Sequence, residues 1–256
     1  MRKRERQYPA VACIEMLAVK GKRMVSVVSY GAGTNSTAML VGLHERGERP
    51  DLILFADTGG ERPETYRHKE TISDWCESVG FPRIITVMEH ISLEADCLKR
   101  AALPGLAYGF KSCSERFKIR PQKRWLKENG HTETWFWVGI DAGESHRKKY
   151  EDRRYPLIEW DWAREECVEA IQRAGLPQPG KSACFFCPAT KRHEILELRA
   201  RHPDLLQRAL DMEAQAELTS IKGLGRRWAW RDVVEFSEAK TPFNFTPEIA
   251  CECLDG

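Results

Sequence analysis

Four parts of this chain carry residue types that suit anion, nucleotide and sulfur chemistry. The first is Ser29-Tyr30-Gly31-Ala32-Gly33-Thr34-Asn35-Ser36. Glycines let backbone amides approach an anion closely, and a following helix N-terminus adds to the attraction. Ser29, Thr34, Asn35 and Ser36 supply side-chain donors beside Gly31 and Gly33. No Gly-Lys-Ser/Thr closes the segment, so it is not a Walker A loop, and its glycine spacing does not match the dinucleotide fingerprint. An ordinary glycine turn between strand and helix is the bland alternative.

The second part is Ala56-Asp57-Thr58-Gly59, followed by Arg62-Pro63-Glu64-Thr65-Tyr66. Asp57 lies where α/β sheets place an acid on a ribose or adenine group. It equally suits a turn-capping role. The third is Gly139-Ile140-Asp141-Ala142-Gly143-Glu144-Ser145-His146-Arg147. Arg147 has the fork geometry to clamp a phosphate. A charged surface loop is the alternative, and for His146 a solvated histidine is the simpler reading.

The fourth part is the cysteines, nine in all. Cys184-Phe185-Phe186-Cys187 has the spacing that turns two thiolates toward one metal or iron–sulfur cluster. Cys113 and Cys97, separated by a Pro/Gly-containing loop, are candidates for the remaining ligands. A thioredoxin-like redox pair is a rival, although no first strand of a thioredoxin unit precedes it. Plain burial of small side chains is the third reading. Cys13, Cys76 and Cys167 read as structural. Around Cys113 lie Lys111, Arg116, Lys118, Arg120, Lys123 and Arg124. Of these, Lys111, Lys118 and Arg120 are the candidates for holding substrate phosphates or a nucleic-acid backbone. Arg226, Arg227, Trp228, Trp230 and Arg231 either stack on bases or anchor a helix with snorkelling arginines.

The elements that must position these residues alternate in type. Met24–Tyr30, Asp51–Ala56, Arg83–Val87 and Thr134–Ile140 read as buried strands. Between the first three, helices are expected from Ser36 to about Arg46 and from Pro63 to Val79. In the second of these, Tyr66, Ile72, Trp75, Cys76 and Val79 share a face. Strand–helix alternation predicts an α/β fold, a three-layer parallel sheet with helices on both faces. Such sheets bind ligands at the carboxyl ends of their strands, so the first three segments should converge on one rim. The division expected is an arm over residues 1–22, a nucleotide-binding core over 23–160 and a helical C-terminal appendage over 161–256.

At 256 residues and 42% apolar composition the chain can bury a substantial core, and its formal charge of +2 favours no partner. No apolar run approaches the roughly 18 residues of a membrane span, and no signal peptide is legible. A cytoplasmic protein with mostly reduced cysteines and no membrane partner is expected.

The glycine segment resembles a variant of the PP-loop Ser-Gly-Gly-x-Asp-Ser, lengthened by two residues, with Thr34 and Asn35 in place of its usual polar residue and aspartate. Asp57-Thr58-Gly59 followed by Pro63-Glu64-Thr65 is similar to the corresponding stretch of phosphoadenosine-phosphosulfate (PAPS) reductases. The resemblance implies a PP-loop enzyme, an adenine nucleotide alpha-hydrolase-like fold, binding ATP or a PAPS-like nucleotide with Mg²⁺. On it, Ser29, Gly31, Gly33, Thr34, Asn35, Ser36, Asp57, Thr58, Gly139 and Asp141 would bind nucleotide. Glu144 and Arg147 would be catalytic. Relatives in sulfur metabolism, including Dnd-type DNA phosphorothioation components, carry a four-cysteine [4Fe–4S] cluster. That makes iron–sulfur the first choice for Cys97, Cys113, Cys184 and Cys187, and zinc the second. The tail Glu252-Cys253-Leu254 partly echoes the reductases' Glu-Cys-Gly-Leu-His, which would make Cys253 a nucleophile on sulfur; a ligand or a plain reactive tail thiol are the alternatives. The activities implied are adenylation for sulfur transfer, with a sulfur donor or thioredoxin-like reductant, or PAPS reduction proper. A nucleic-acid substrate, or a non-catalytic nucleic-acid-binding role, remains a further alternative.

Overall fold

The structure, a computed structural model, describes residues 18–19, 22–148, 150 and 152–238. Cys13, Cys251 and Cys253 lie outside these residues.

A two-stranded antiparallel ribbon, β1 (Ala18–Val19) and β2 (Lys22–Arg23), precedes the sheet. The sheet's central strand is β3 (Val25–Tyr30). Its β-branched, alternately directed side chains suit a strand buried on both faces. It pairs with β4 (Leu52–Asp57) on one side and β6 (Thr134–Val138) on the other. β5 (Ile84–Met88) and the two-residue β7 (Arg153–Arg154) form the edges, and every pairing is parallel. The order β5-β4-β3-β6-β7 means that the chain steps outward from β3 to β5, then returns to the far side of β3. The direction of winding reverses between β3 and β6. In open α/β sheets that point opens a crevice at the strands' carboxyl ends.

One sheet face carries α1 (Thr34–Glu45), α2 (Pro63–Ser78), the short α6 (Pro156–Glu159) and α7 (Arg164–Arg173). Val28, Tyr30, Ile53 and Phe55 pack there with Leu40, Leu43, Ile72, Cys76, Cys167 and Ile171. Tyr66, Trp75 and Val79 line this core, as the helical period of α2 requires. α7 thus belongs by packing to the sheet's own core. The opposite face carries α5 (Arg120–Glu128), whose Leu126 meets Val27, Leu54, Ala56 and Val87.

A second core lies beyond the rim. α3 (Leu93–Lys99), α8 (Arg192–Arg201), α9 (Pro203–Gln215) and α10 (Trp230–Glu238) surround Phe117, Phe185, Phe186, Ile195, Met212 and Trp230. The cysteine turn joins the two parts. Glu61, just past β4, forms an antiparallel bridge with Cys184, and Phe185 N–H donates to Gly60 carbonyl at 2.8 Å. No helix among the described residues is long and apolar enough to cross a membrane.

Candidate functional site

The glycine loop follows β3 directly. Ala32 is held left-handed at φ 53°, between Gly31 and Gly33, and is 1% exposed. A left-handed alanine costs about 1–2 kcal/mol. A left-handed residue within a turn is the conformation that lets successive amides share one concave side and bind an anion. α1 begins at Thr34. Ser36 Oγ lies 3.1 Å from Gly33 carbonyl and 3.3 Å from Gly33 nitrogen, which closes the loop onto the first helical turn. Ser29 points the other way, accepting from Gln122 Nε2 at 3.1 Å on the α5 face.

The turn after β6 docks on this loop. Asn35 Nδ2 donates to Asp141 at 2.9 Å and lies 3.4 Å from Glu144 Oε2. Asp141 is 5% exposed and also accepts from Glu144 N–H at 2.9 Å, capping the 3₁₀ turn Ala142–Arg147. Gly139 lies so close to the loop that a Cβ there would sit 3.0 Å from the Asn35 carbonyl and Ser36 Cα. Asn35 Oδ1 is buried and has no partner among the described residues. Arg147 is exposed and paired with Glu144 at 2.7 Å, and His146 is exposed.

The turn after β4 completes the rim. Asp57 takes the turn role: its Oδ1 accepts from Gly59 N–H at 2.7 Å and Tyr66 hydroxyl at 2.8 Å. Thr58 is placed inward, 1% exposed, with its hydroxyl 3.0 Å from Cys184 Sγ. The segment before the cysteine turn passes over the glycine loop, since a Cβ on Gly33 would lie 2.7 Å from Ser182 Oγ.

Cys97, Cys113, Cys184 and Cys187 all join the second core, the first and third buried and the other two partly so. They lie within electrostatic range of one another in a chain, Cys97 with Cys113, Cys113 with Cys187, and Cys187 with Cys184. The Lys118 ammonium faces three of them and stands 3.7 Å from Glu61. Burial pushes the Cys97 and Cys184 thiols up to about 12, and for Cys184 the Glu61 carboxylate adds to the effect. Burial raises Cys187 as well. Among the described residues no three Cys, His, Asp or Glu side chains converge as a single-ion site. Four thiols in one core are sulfur donors of the kind that suit either zinc or an iron–sulfur cluster.

Sequence reasoning missed Glu61. It is 6% exposed, burial raises its carboxyl, and its Oε2 has no partner among the described residues. A charged residue two before a proline at a helix start ordinarily reads as solvated. Its burial arises from the bridge to Cys184, which no local pattern announces. Lys118, half-exposed but directed at the thiols and Glu61, comes from a π-helical turn, Glu115–Ile119, between α4 (Ser112–Ser114) and α5. Such turns recur at functional sites. Lys111 and Arg120 are exposed and have no ion-pair partner among the described residues. The indoles are not free to stack: Trp230 is fully buried, and Trp228 packs on Gly225 with Arg192 over its ring at 5.4 Å.

No family model matches the chain. A curated relative, the uncharacterised protein MJ0066 of Methanocaldococcus jannaschii, is 26% identical over 219 residues, covering 78% of this chain and 43% of that protein. The chain thus spans less than half the length of that relative. Among solved structures, phosphoadenylyl-sulfate (PAPS) reductase from Candida auris, in its phosphate complex, is similar with a TM-score of 0.43. The match is 18% identical and covers 65% of this chain and 80% of that one. The U34-tRNA thiolase NcsA from Methanococcus maripaludis, with its [4Fe-4S] cluster, is similar with a TM-score of 0.39, 15% identical, covering 85% of this chain and 81% of that one.

Proposed function

We propose that the chain is a PP-loop enzyme of the PAPS reductase type that binds ATP or a related adenine nucleotide at the β3/β6 crevice. It would activate an acceptor for sulfur transfer. The observation that carries this reading is the docking of Asn35 on Asp141 and Glu144. It joins a strained glycine loop to the second rim segment at the sheet's switch point.

In this reading the amides of Gly31–Ser36 and the start of α1 hold phosphate oxygens. The unpartnered Asn35 Oδ1 accepts from a nucleotide donor group. An acceptor nucleophile attacks the α-phosphorus, the bond to the bridging oxygen breaks, and pyrophosphate leaves with that electron pair. Charge stabilisation comes from loop amides aimed at the oxygens where charge develops. Arg147 reaches the phosphates by exchanging its exposed pairing with Glu144. Asp57 and Glu144 at the rim would help hold Mg²⁺, which would supply neutralisation of phosphate charge. A [4Fe–4S] cluster would be held by Cys97, Cys113, Cys184 and Cys187 and would supply sulfide-binding or electron-transfer chemistry. Seating it requires release of the thiol protons that burial retains.

The experiment is pyrophosphate release from ATP by anaerobically purified protein, with and without sulfide and candidate acceptors. Release that depends on an acceptor supports the reading. Absence of both release and nucleotide binding removes it.

A further inference from the structure

We propose that the loops Tyr108–Lys111 and Lys222–Trp228 form a docking surface for a single-stranded polynucleotide, with a base on Phe110 and its phosphates on Lys111, Lys222, Arg226 and Arg227. This deepens the sulfur-transfer reading by naming the class of acceptor, although the surface itself is argued independently of the nucleotide site.

Phe110 is 68% exposed, more than any other large apolar side chain among the described residues. Its position is fixed. Gly109 turns left-handed at φ 91°, and Phe110 N–H donates to Gly105 carbonyl at 2.9 Å. Gly109 also lies against the second loop, where a Cβ would stand 3.1 Å from Arg226 Nη2. The Arg226 guanidinium thus meets the residue that precedes the exposed Phe110, and an exposed ring with cationic side chains on its own and the neighbouring loop suits an unpaired base and its phosphate.

The second loop is held with unusual effort. Arg226 is left-handed at φ 62°, a conformation a long side chain rarely adopts. It is fixed by Lys222 N–H to Arg226 carbonyl at 2.7 Å and Arg226 N–H to Gly223 carbonyl at 2.9 Å. Beneath it Glu213, 1% exposed, accepts from Leu224, Trp230 and Arg231 amides at 2.7, 2.9 and 3.1 Å. A plain connector needs neither a strained arginine nor a buried carboxylate gathering three amides. Backbone strain of this kind collects at working sites.

The charges on this surface are uncompensated. Lys111, Lys222, Arg226 and Arg227 have no ion-pair partner among the described residues, and the exposed Glu115 pairs with none of them. Nearby acids are already engaged: Asp96 takes both Arg100 and Arg116 at 2.8 Å, and Glu213 faces Arg231 at 3.7 Å. Free cations around a bare aromatic ring suit a phosphate chain with accessible base faces. A duplex keeps its base faces stacked, and an acidic peptide leaves the ring without a role. Cys113 follows Lys111 by two residues and packs in the same core as Leu224 and Trp228. A base seated on Phe110 therefore lies at the edge of the thiol cluster.

The test is fluorescence anisotropy of the full chain with labelled single-stranded RNA, single-stranded DNA of the same sequence, a duplex and polyglutamate, between about 50 and 200 mM salt. Expected is single-strand binding that weakens steeply with salt and falls roughly fivefold or more in Phe110→Ala. Arg226→Gly should weaken binding yet unfold at equal or higher urea, because it relieves the left-handed strain; an arginine serving structure alone would lose stability. RNA and DNA arms name the source of the strand. The proposal is overturned by single-strand dissociation constants above about 100 µM at the lowest salt. It is equally overturned by duplex or polyglutamate binding as tight as the strand, or by unchanged binding in Phe110→Ala. ATP binding measured alongside keeps the two readings separate: the rim can fail while this surface stands, and the reverse.

Discussion

At the scale of single residues, Ala32 and Glu213 show where the fold spends stability on geometry. Valine at position 32 cannot share the left-handed conformation without a larger penalty than alanine, because branching at Cβ crowds the following carbonyl. Ala32→Val should therefore cost about 2 kcal/mol or more in urea unfolding and weaken ATP binding, whereas Ala32→Gly should fall within about 1 kcal/mol of the parent. Glu213 serves three amides from inside the second core. Glu213→Ala orphans those donors, so a loss of about 3 kcal/mol or more is expected in the same measurement. Neither role could be read from sequence. Ala32 is one small residue between glycines, and Glu213 sits on α9 with a period-matched neighbourhood that says nothing of three amides arriving from residues 224–231.

At the scale of elements, the site depends on close approaches between segments. Gly139 lets the β6 turn touch the glycine loop, and Gly33 lets the Ser182 segment lie across it. Gly139→Ala must shift backbone by a few tenths of an ångström, because Asn35 and Ser36 main-chain atoms stand in the way. It should weaken nucleotide binding while leaving the strands intact by circular dichroism. Gly33→Ala meets only a serine side chain, so Ser182→Gly in the same molecule should restore much of the loss, a coupling that a double-mutant cycle reads directly. The strands and the first two helices were legible because their apolar periods are long and end in glycine or proline. The rim followed from their alternation. The placement of Cys184 against Thr58 and Glu61 was not legible, since that bridge joins residues far apart in sequence and is set by packing of the second core. β7, two residues long, has too little pattern to announce itself. The Trp228 and Trp230 indoles carried an ambiguous signal that burial resolves in favour of packing.

For the whole molecule, burial of titratable groups sets how stability responds to pH. Burial raises the Cys76, Cys97, Cys167 and Cys184 thiols to about 12 from an ordinary 9.0, and raises the Tyr30 hydroxyl also. The folded chain keeps these protons where the unfolded chain releases them. Stability is then fully present below pH 9 and declines as pH rises from 9 toward 12. His68, hydrogen-bonded to Thr37 at 3.1 Å, is shifted the other way by burial from an ordinary 6.5. Its contribution is present above that value and is lost as pH falls below it. Urea midpoints across this range should form a plateau with both shoulders, and Cys184→Ala should soften the alkaline one. The same burial predicts slow alkylation of Cys97 and Cys184 in metal-free protein at neutral pH.

The central claim is that the crevice between β3 and β6 holds an adenine nucleotide. Calorimetric titration of the protein with ATP and Mg²⁺ tests it most directly, beside Ala32→Val and Gly139→Ala. Saturable binding in the parent, tighter than about 1 mM, and a marked loss in both variants are expected. No binding by the parent at that concentration, or equal binding by all three proteins, would contradict it.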